Sequence, residues 1–276
     1  MSAIITLTTD FGLCDAYVAE MKGVILNINP DARFVDICHT IKPQNITQAA
    51  FVLHTAYRFF SQRTIHIVVV DPGVGSPRRA VLLRTPFADF IAPDNGVLSY
   101  IIQEVAEKPV TGGTMKLKSG ATAISLTKSK YWRKPVSATF HGRDIFAPVA
   151  AHLSLGRSPE ELGKEINTMV TIPLLYPHKT QNGMTGHIVH IDNFGNLITN
   201  IGEQDLPKKR ESITISVGGK RIHGLSRTYQ DSEGLLSLIG SHGYLEISLK
   251  NGSASAFLGV GTGDQVRITL QSGGRS

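Results

Sequence analysis

Cysteine is scarce: the 276 residues contain only Cys14 and Cys38. Two thiols cannot build a disulfide framework, and they are expected to be free. Long apolar runs are missing as well. None approaches the ~18 residues that span a bilayer, so no membrane partner is expected. The opening stretch Met1-Ser2-Ala3-Ile4-Ile5-Thr6 lacks the basic flank and apolar core of a secretory signal. A cytoplasmic location is the expectation. No Cys/His spacing suits zinc, and no Gly-x-Ser-x-Gly elbow occurs. Neither a metal nor a cofactor is expected. Clustered charge is also rare. The formal net charge is +6, yet the only tight basic cluster is Lys208-Lys209-Arg210, read as a solvated turn after Pro207. Such scattered charge speaks against a nucleic-acid partner and leaves solubility or attraction of anionic ligands.

What the chain does have is enough apolar residue, 41%, for one large domain or two moderate ones. The first half alternates strand-like and helix-like segments. Ile4 to Thr9 is β-prone, and Asp15 to Asn27 has helical spacing, with Val18, Met21, Ile25 and Ile28 near one face. Arg33 to Ile37 reads as a strand and Gln44 to Phe60 as a helix. Ile65 to Val70 is a continuous β-branched run, the mark of a strand buried on both sides. Further strands are expected at Ala80–Arg84 and Phe90–Ala92, and helices at Val97–Val105 and Asp144–Leu155, the last stopped by Gly156. From about Gly156 the texture changes, with Pro159, Pro173 and Pro177 in a connecting stretch, and after Gly183 it becomes short β-prone runs with Gly218-Gly219 and Asn251-Gly252 turns. The expected fold is α/β: a mostly parallel N-terminal sheet covered by helices over residues 1–175, and a smaller all-β, barrel-like domain over residues 180–276. The polar stretch Gly112 to Lys134 reads as a loop or an extra hairpin.

Four constellations carry chemistry. Thr9-Asp10-Phe11-Gly12 ends the first strand, where an Asp can accept both hydroxyls of a ribose or cap the next helix. Asp15 reads as the better cap. Asp71-Pro72-Gly73-Val74-Gly75-Ser76-Pro77-Arg78-Arg79 ends the β-branched run. It lacks the Lys-Ser/Thr and following helix of a phosphate loop, so it reads as a tight turn able to bring Asp71 and Arg78 together, or as a β-turn with a surface Arg. Asp10 and Asp71 therefore share the carboxyl rim of one sheet, where ligands collect. Phe140-His141-Gly142-Arg143-Asp144 precedes a helix, with Asp144 a plausible N-cap and His141 free to reach a cleft. Asp192-Asn193-Phe194-Gly195-Asn196 is either a turn or a base-binding loop in which Phe194 stacks and Asn196 bonds an edge. Ser241-His242-Gly243-Tyr244-Leu245-Glu246 likewise runs from a turn into a strand. Gly259-Val260-Gly261-Thr262-Gly263-Asp264, despite its glycines, is a β-turn between short strands.

The strings TDFG, VVVDPGVGSPRR, APDNG, TFHGRDIFAPVAAHL, DNFGN and GSHGYLEI together resemble the S-adenosylmethionine hydrolases, or hydroxide adenosyltransferases, relatives of the fluorinases and chlorinases. The resemblance covers nearly the whole chain. It implies hydrolysis of S-adenosylmethionine to adenosine and methionine, with the R sulfonium epimer one candidate substrate. It implies a homotrimer of two-domain subunits, with the site between the N-terminal domain of one subunit and the β domain of its neighbour. It implies that Asp71, Arg78 and His141 act on water, that Asp10 binds ribose and that Asn196 meets adenine. Asp192 and Ser241 would meet the methionine end or adenosine. Phe194 and Glu246 complete the substrate-binding set. Fluorinase-like enzymes carry Tyr where this chain has Asp71, and Tyr-Ser at His141-Gly142. A carboxylate repels a halide and suits proton removal, so the resemblance favours hydroxide. The segment Thr111–Lys130 is longer than the resemblance leads one to expect.

Water has a pKa of about 15.7, so free hydroxide at pH 7 costs roughly 12 kcal/mol. Two routes reduce this. Asp71 takes the proton during attack as general base, or merely orients the water. Arg78 and a protonated His141 stabilise hydroxide-like charge. Rival readings are a halide adenosyltransferase, a non-catalytic adenosine-binding module and, weakest, a nucleic-acid binder.

Overall fold

The computed structural model describes residues 3–118, 120–208 and 210–270, and the chain divides between Leu174 and Leu175 into two compact units. In the first unit the strands are β1 (Ile4–Thr9), β2 (Arg33–Cys38), β3 (Ile65–Val69), β4 (Ala80–Arg84), β5 (Asp89–Pro93), β6 (Gly113–Lys116), β7 (Thr122–Ser125), β8 (Lys164–Ile166) and β9 (Thr168–Thr171). Seven of them form one sheet in the order β2-β1-β3-β5-β4-β7-β8. The β2-β1-β3-β5 half is parallel, and β4, β7 and β8 extend it antiparallel. The helices are α1 (Tyr17–Ile28), α2 (Ile46–Ala56), α3 (Ser99–Val105), α4 (Ala147–Ser154) and the short α5 (Pro159–Leu162).

Alternation along the parallel strands sorts their side chains into two cores, one on each face. Ile5, Leu7, Ile67 and Val69 pack with Met21 and Ile25 of α1 and Val149 and Leu153 of α4. Val68 and Val70 point the other way, against Ala49 and Leu53 of α2 and Ile101 and Ile102 of α3. Every residue of β3 is buried, which is why its sequence is an unbroken β-branched run apart from His66. His66 is accommodated by Thr6 Oγ1 at 2.7 Å from its Nδ1 and by stacking on Phe90, with ring centroids 5.2 Å apart.

Two expected caps differ. Asp15 does not cap α1, whose N-cap is Ala16 without a side-chain bond. Asp144 does not cap either; it is fully buried inside a π-helical turn, Gly142–Phe146, that leads into α4. The stretch 112–134 is neither plain loop nor hairpin: β6 pairs with β9, whereas β7 joins the main sheet.

The second unit is antiparallel. Its strands are β10 (His178–Thr180), β11 (Gly183–Ile191), β12 (Leu197–Gly202), β13 (Ile213–Val217), β14 (Lys220–His223), β15 (Leu235–Ile239), β16 (Tyr244–Leu249) and β17 (Gln265–Leu270), with one short helix, α6 (Ala254–Leu258). The path runs β14-β13-β17-β11-β12-β16-β15, with β10 on β11. Its two ends, β14 and β15, approach each other and leave a nearly closed barrel. Ile188, Leu197, Ile201, Ile213, Ile215, Leu245, Ile247 and Ile268 fill the interior. Gly218 and Gly219, with φ of 52° and 73°, close β13 onto β14 in the two-residue turn that requires left-handed backbone at both positions. Lys208 and Arg210 of the basic cluster are exposed, and Lys209 lies outside the described residues. No helix among the described residues is long and apolar enough to cross a membrane.

Candidate active site

The carboxyl rim of the parallel strands gathers Asp71, Arg78 and His141. Asp71 follows β3 after the single residue Val70. The chain then turns through Val74 N–H to Asp71 O (3.1 Å) and Ser76 N–H to Gly73 O (3.1 Å). That turn needs Gly75. Its φ is 79°, and a Cβ there would lie 2.5 Å from the Ala138 carbonyl oxygen. The turn returns Arg78 to Asp71: Nε donates to Oδ1 at 2.8 Å, and Nη2 makes a short bond to Oδ2. Both side chains are nearly out of solvent, 4% exposed for Asp71 and 10% for Arg78. The guanidinium also lies 5.5 Å from the Phe146 ring centroid. From its other side, Arg78 Nη2 is 2.9 Å from Nδ1 of His141.

This last contact fixes a tautomer. A guanidinium has no acceptor, so Nδ1 must accept and the imidazole proton sits on Nε2. Burial first, and then the Arg78 charge, hold the His141 imidazole below its ordinary value. A protonated His141, part of one of the two routes considered from the sequence, does not suit this contact: a second N–H at Nδ1 would meet the Arg78 donor head-on. His141 is neutral and offers Nε2–H. Its segment is held by Asp144, which accepts from Arg143 Nε at 2.7 Å and from the Ser137 backbone at 2.8 Å. Burial pushes the Asp144 carboxyl up, but these donors prevail and keep it below the usual carboxylate range.

Asp10 stands at the same rim, one residue past Thr9, which is in register with Val69. Its Oδ2 accepts the backbone N–H of Gln44 at 2.8 Å. Gln44 has φ of 64°, a left-handed conformation unusual for this residue type. Sequence reading missed this residue, although Lys42-Pro43-Gln44-Asn45 is a recognisable turn string. Thr9 in turn bonds His39 Nδ1 at 2.9 Å, and His39 Nε2 lies 3.1 Å from Asp36. Phe11 and Phe140, neighbours of Asp10 and His141, meet edge to face at 5.6 Å, and Tyr17 joins both. The Asp10 loop and the His141 turn are thus packed together. Asn95 of the APDNG string, another residue without an assigned role at first, donates to the Val70 carbonyl at 2.9 Å and braces the peptide before Asp71.

The second unit holds its own polar cluster. Asp192 Oδ1 accepts from the Phe194 and Asn196 backbones, each at 2.9 Å, and Oδ2 accepts from Asn196 Nδ2 at 2.9 Å. Asp192 and Asn196 therefore build the turn between β11 and β12, while Phe194 projects outward, 77% exposed. Glu246 is buried, and its Oε1 accepts from Tyr229 Oη at 2.7 Å and Ser248 Oγ at 2.9 Å. Tyr229 was not singled out in sequence; it follows a Ser-Arg-Thr turn with no periodic signal. Burial, the bond to Glu246 and the nearby Asp192 charge push its phenol up to about 12. Ser241 is exposed in the β15–β16 turn, beside Gly240, where a Cβ would meet Glu246 Oε2 at 2.5 Å. Among the described residues no group of three or more His, Cys, Asp or Glu side chains is placed to hold a metal.

Residues 5–163 match the SAM hydroxide adenosyltransferase N-terminal domain and residues 186–267 its C-terminal domain. An (R)-S-adenosyl-L-methionine hydrolase of Methanocaldococcus jannaschii is 35% identical, covering 96% of this chain and 95% of its own. A fluorinase of Nocardia brasiliensis is more distant, 26% identical over 96% of this chain and 97% of its own. The crystal structure of an uncharacterized conserved protein from Thermotoga maritima superposes with a TM-score of 0.86 at 34% identity, covering 96% of this chain and 99% of that one.

Proposed function

The chain belongs to the SAM hydroxide adenosyltransferase family, and we propose that it hydrolyses S-adenosylmethionine, the R sulfonium epimer in particular, to adenosine and methionine. The observation that carries this reading is the Arg78 guanidinium bridging Asp71 and His141 at the rim where Asp10 also stands. A carboxylate there favours water over halide as nucleophile.

In the proposed reaction Asp10 accepts the ribose hydroxyls through the lone pairs that Gln44 leaves free. A water sits between Asp71 and His141, in line with the C5′–S bond. Asp71 keeps lone pairs beyond those used by Arg78, and one accepts a hydrogen bond from the water. His141 Nε2–H and Arg78 donate toward the oxygen. As oxygen bonds to C5′, the C5′–S pair leaves with methionine, and the surplus proton passes toward Asp71. Arg78 spreads the carboxylate charge, so Asp71 acts chiefly by orienting the water and accepts the proton only as the C–O bond forms. Donors preorganised around developing hydroxide charge contribute about 3–4 kcal/mol each in comparable sites. Anion and cation combine along the path, so exclusion of bulk water favours the step. Asp192, Phe194, Asn196, Ser241 and Glu246 form the adenosine- and methionine-binding set of the second unit, and a homotrimer in the cytoplasm is part of the proposal.

The test is product analysis in oxygen-18 water with each epimer separately. Labelled adenosine from the R epimer is the expected result. Unlabelled adenosine, no turnover with either epimer, or 5′-halo-5′-deoxyadenosine on addition of chloride sinks the reading. Light scattering in solution checks the trimer.

A further inference from the structure

The outer face of the barrel at β13, β14 and β17 carries cations and hydroxyls without a carboxylate. Side chains alternate along these strands. Ile213, Ile215, Val217, Ile222, Val266 and Ile268 fill the interior. Thr214, Ser216, Arg221, His223 and Arg267 therefore face outward, and together with Lys220 they line a groove of about 630 Å³. Register arranges them in rows. Ser216 lies directly opposite Arg221 on one side and Arg267 on the other. Thr214 in the next row faces His223, whose Nδ1 is 3.1 Å from the threonine hydroxyl.

Strands are spaced about 4.8 Å apart, so the backbones of Arg221 and Arg267 stand roughly 10 Å apart across Ser216. Two arginine side chains reach one group from that distance. The side chains of Lys220, Arg221 and Arg267 make no ion pair or hydrogen bond with the described residues, and the Ser216 hydroxyl between them is equally unengaged. Cations at a sheet edge discourage edge-to-edge pairing, which accounts for Lys220 and Arg221 on β14. It does not account for Arg267, because β17 is flanked by β13 and β11. Arg221 and Arg267 flank Ser216 from the two strands on either side of β13, and an anion held between these like charges relieves their repulsion.

We propose that this groove is an anion site for a compact di- or triphosphate group, held by Arg221 and Arg267 with Ser216 beneath and Lys220 at one end. A planar guanidinium fork matches phosphate oxygens, and the serine hydroxyl adds a donor. No Phe, Tyr or Trp lines the groove, so the stacking platform of single-strand nucleic-acid binders is missing. The three-strand width suits a compact anion.

Calorimetry of the full chain with inorganic triphosphate tests this. Saturable binding that weakens with added salt is expected. Arg267→Gln and Arg221→Gln should each weaken it by at least about tenfold, the worth of one charge-assisted hydrogen bond. Equal affinity for ATP means that only the phosphates are read, and tighter ATP binding means that a nucleotide is the ligand; both support the site. Amide NMR shifts in the unsubstituted protein, expected at residues 214–223 and 265–269, keep the test valid should a variant misfold. No saturable binding, shifts confined to other regions, parental affinity in a folded Arg221→Gln/Arg267→Gln chain, or tighter binding of single-stranded RNA to this face overturns the proposal.

Discussion

Nη2 of Arg78 sits 2.9 Å from Nδ1 of His141, and because the guanidinium only donates, the histidine is held neutral with its proton on Nε2. In the proposed reaction that contact leaves Nε2–H as the donor toward the attacking water.

The first prediction is a pH profile. Burial and the Arg78 charge lower the His141 pKa, so the neutral form persists below the ordinary histidine range. Activity should hold on the alkaline side and fall as acid protonates His141 through that lowered value. Single-turnover rates against pH check this. A rate that climbs toward acid would mean that imidazolium is the active form.

Arg78→Lys should reduce kcat by roughly 10²–10³, because an ammonium lacks the fork that engages Asp71 and His141 together. Asp71→Asn should lose about 10²–10⁴ through the missing carboxylate. It should also leave Arg78 with an uncompensated buried charge and cost ~3–5 kcal/mol of stability. Urea unfolding beside steady-state kinetics separates the two effects.

The Asp10–Gln44 contact predicts a KM effect. Gln44→Gly keeps the N–H and suits φ of 64°, so KM should stay within about threefold and stability should hold or rise by up to ~1 kcal/mol. Asp10→Asn should raise KM by about 10–100-fold, the worth of a charged hydrogen bond to a ribose hydroxyl. An unchanged KM in Asp10→Asn would remove Asp10 from the substrate site.

Gly75→Ala should collapse the Asp71–Arg78 turn, since the added Cβ meets the Ala138 carbonyl in a left-handed backbone. Activity should fall at least about tenfold, with a loss of ~1–3 kcal/mol in stability. Activity loss with an unaltered melting temperature would place the damage in the turn itself.

His66 supplies a stability prediction. Burial pushes it down to about 4 from an ordinary value of 6.5. Its folded pKa is depressed, so the unfolded chain binds the proton first. Stability is full above pH 6.5 and declines by up to ~3 kcal/mol as pH falls through 6.5 toward 4. The unfolding midpoint of His66→Phe should lose less between pH 7 and pH 5 than that of the parent.

The sequence by itself determined the alternation of strands and helices, the β-rich second half and the positions of Asp10 and Asp71 at strand ends. These are local or periodic properties: the Ile65–Val70 run can bury both faces only in a helix-covered sheet, and Gly218-Gly219 can close only a tight hairpin. The motif strings also carried the family resemblance. Only the tertiary structure decided what each polar group holds. Asp144 lies beside a helix start in sequence, yet folding buries it among Arg143, Arg133 and Ser137. Arg78 and His141 are 63 residues apart, and no pattern in the chain records that the guanidinium donates to Nδ1. The Tyr229–Glu246 bond joins the β14–β15 connection to β16, and the Arg221–Ser216–Arg267 row is completed only when β17 pairs with the distant β13. A proton's position depends on which donors surround it, and those neighbours exist only once the sheets have closed.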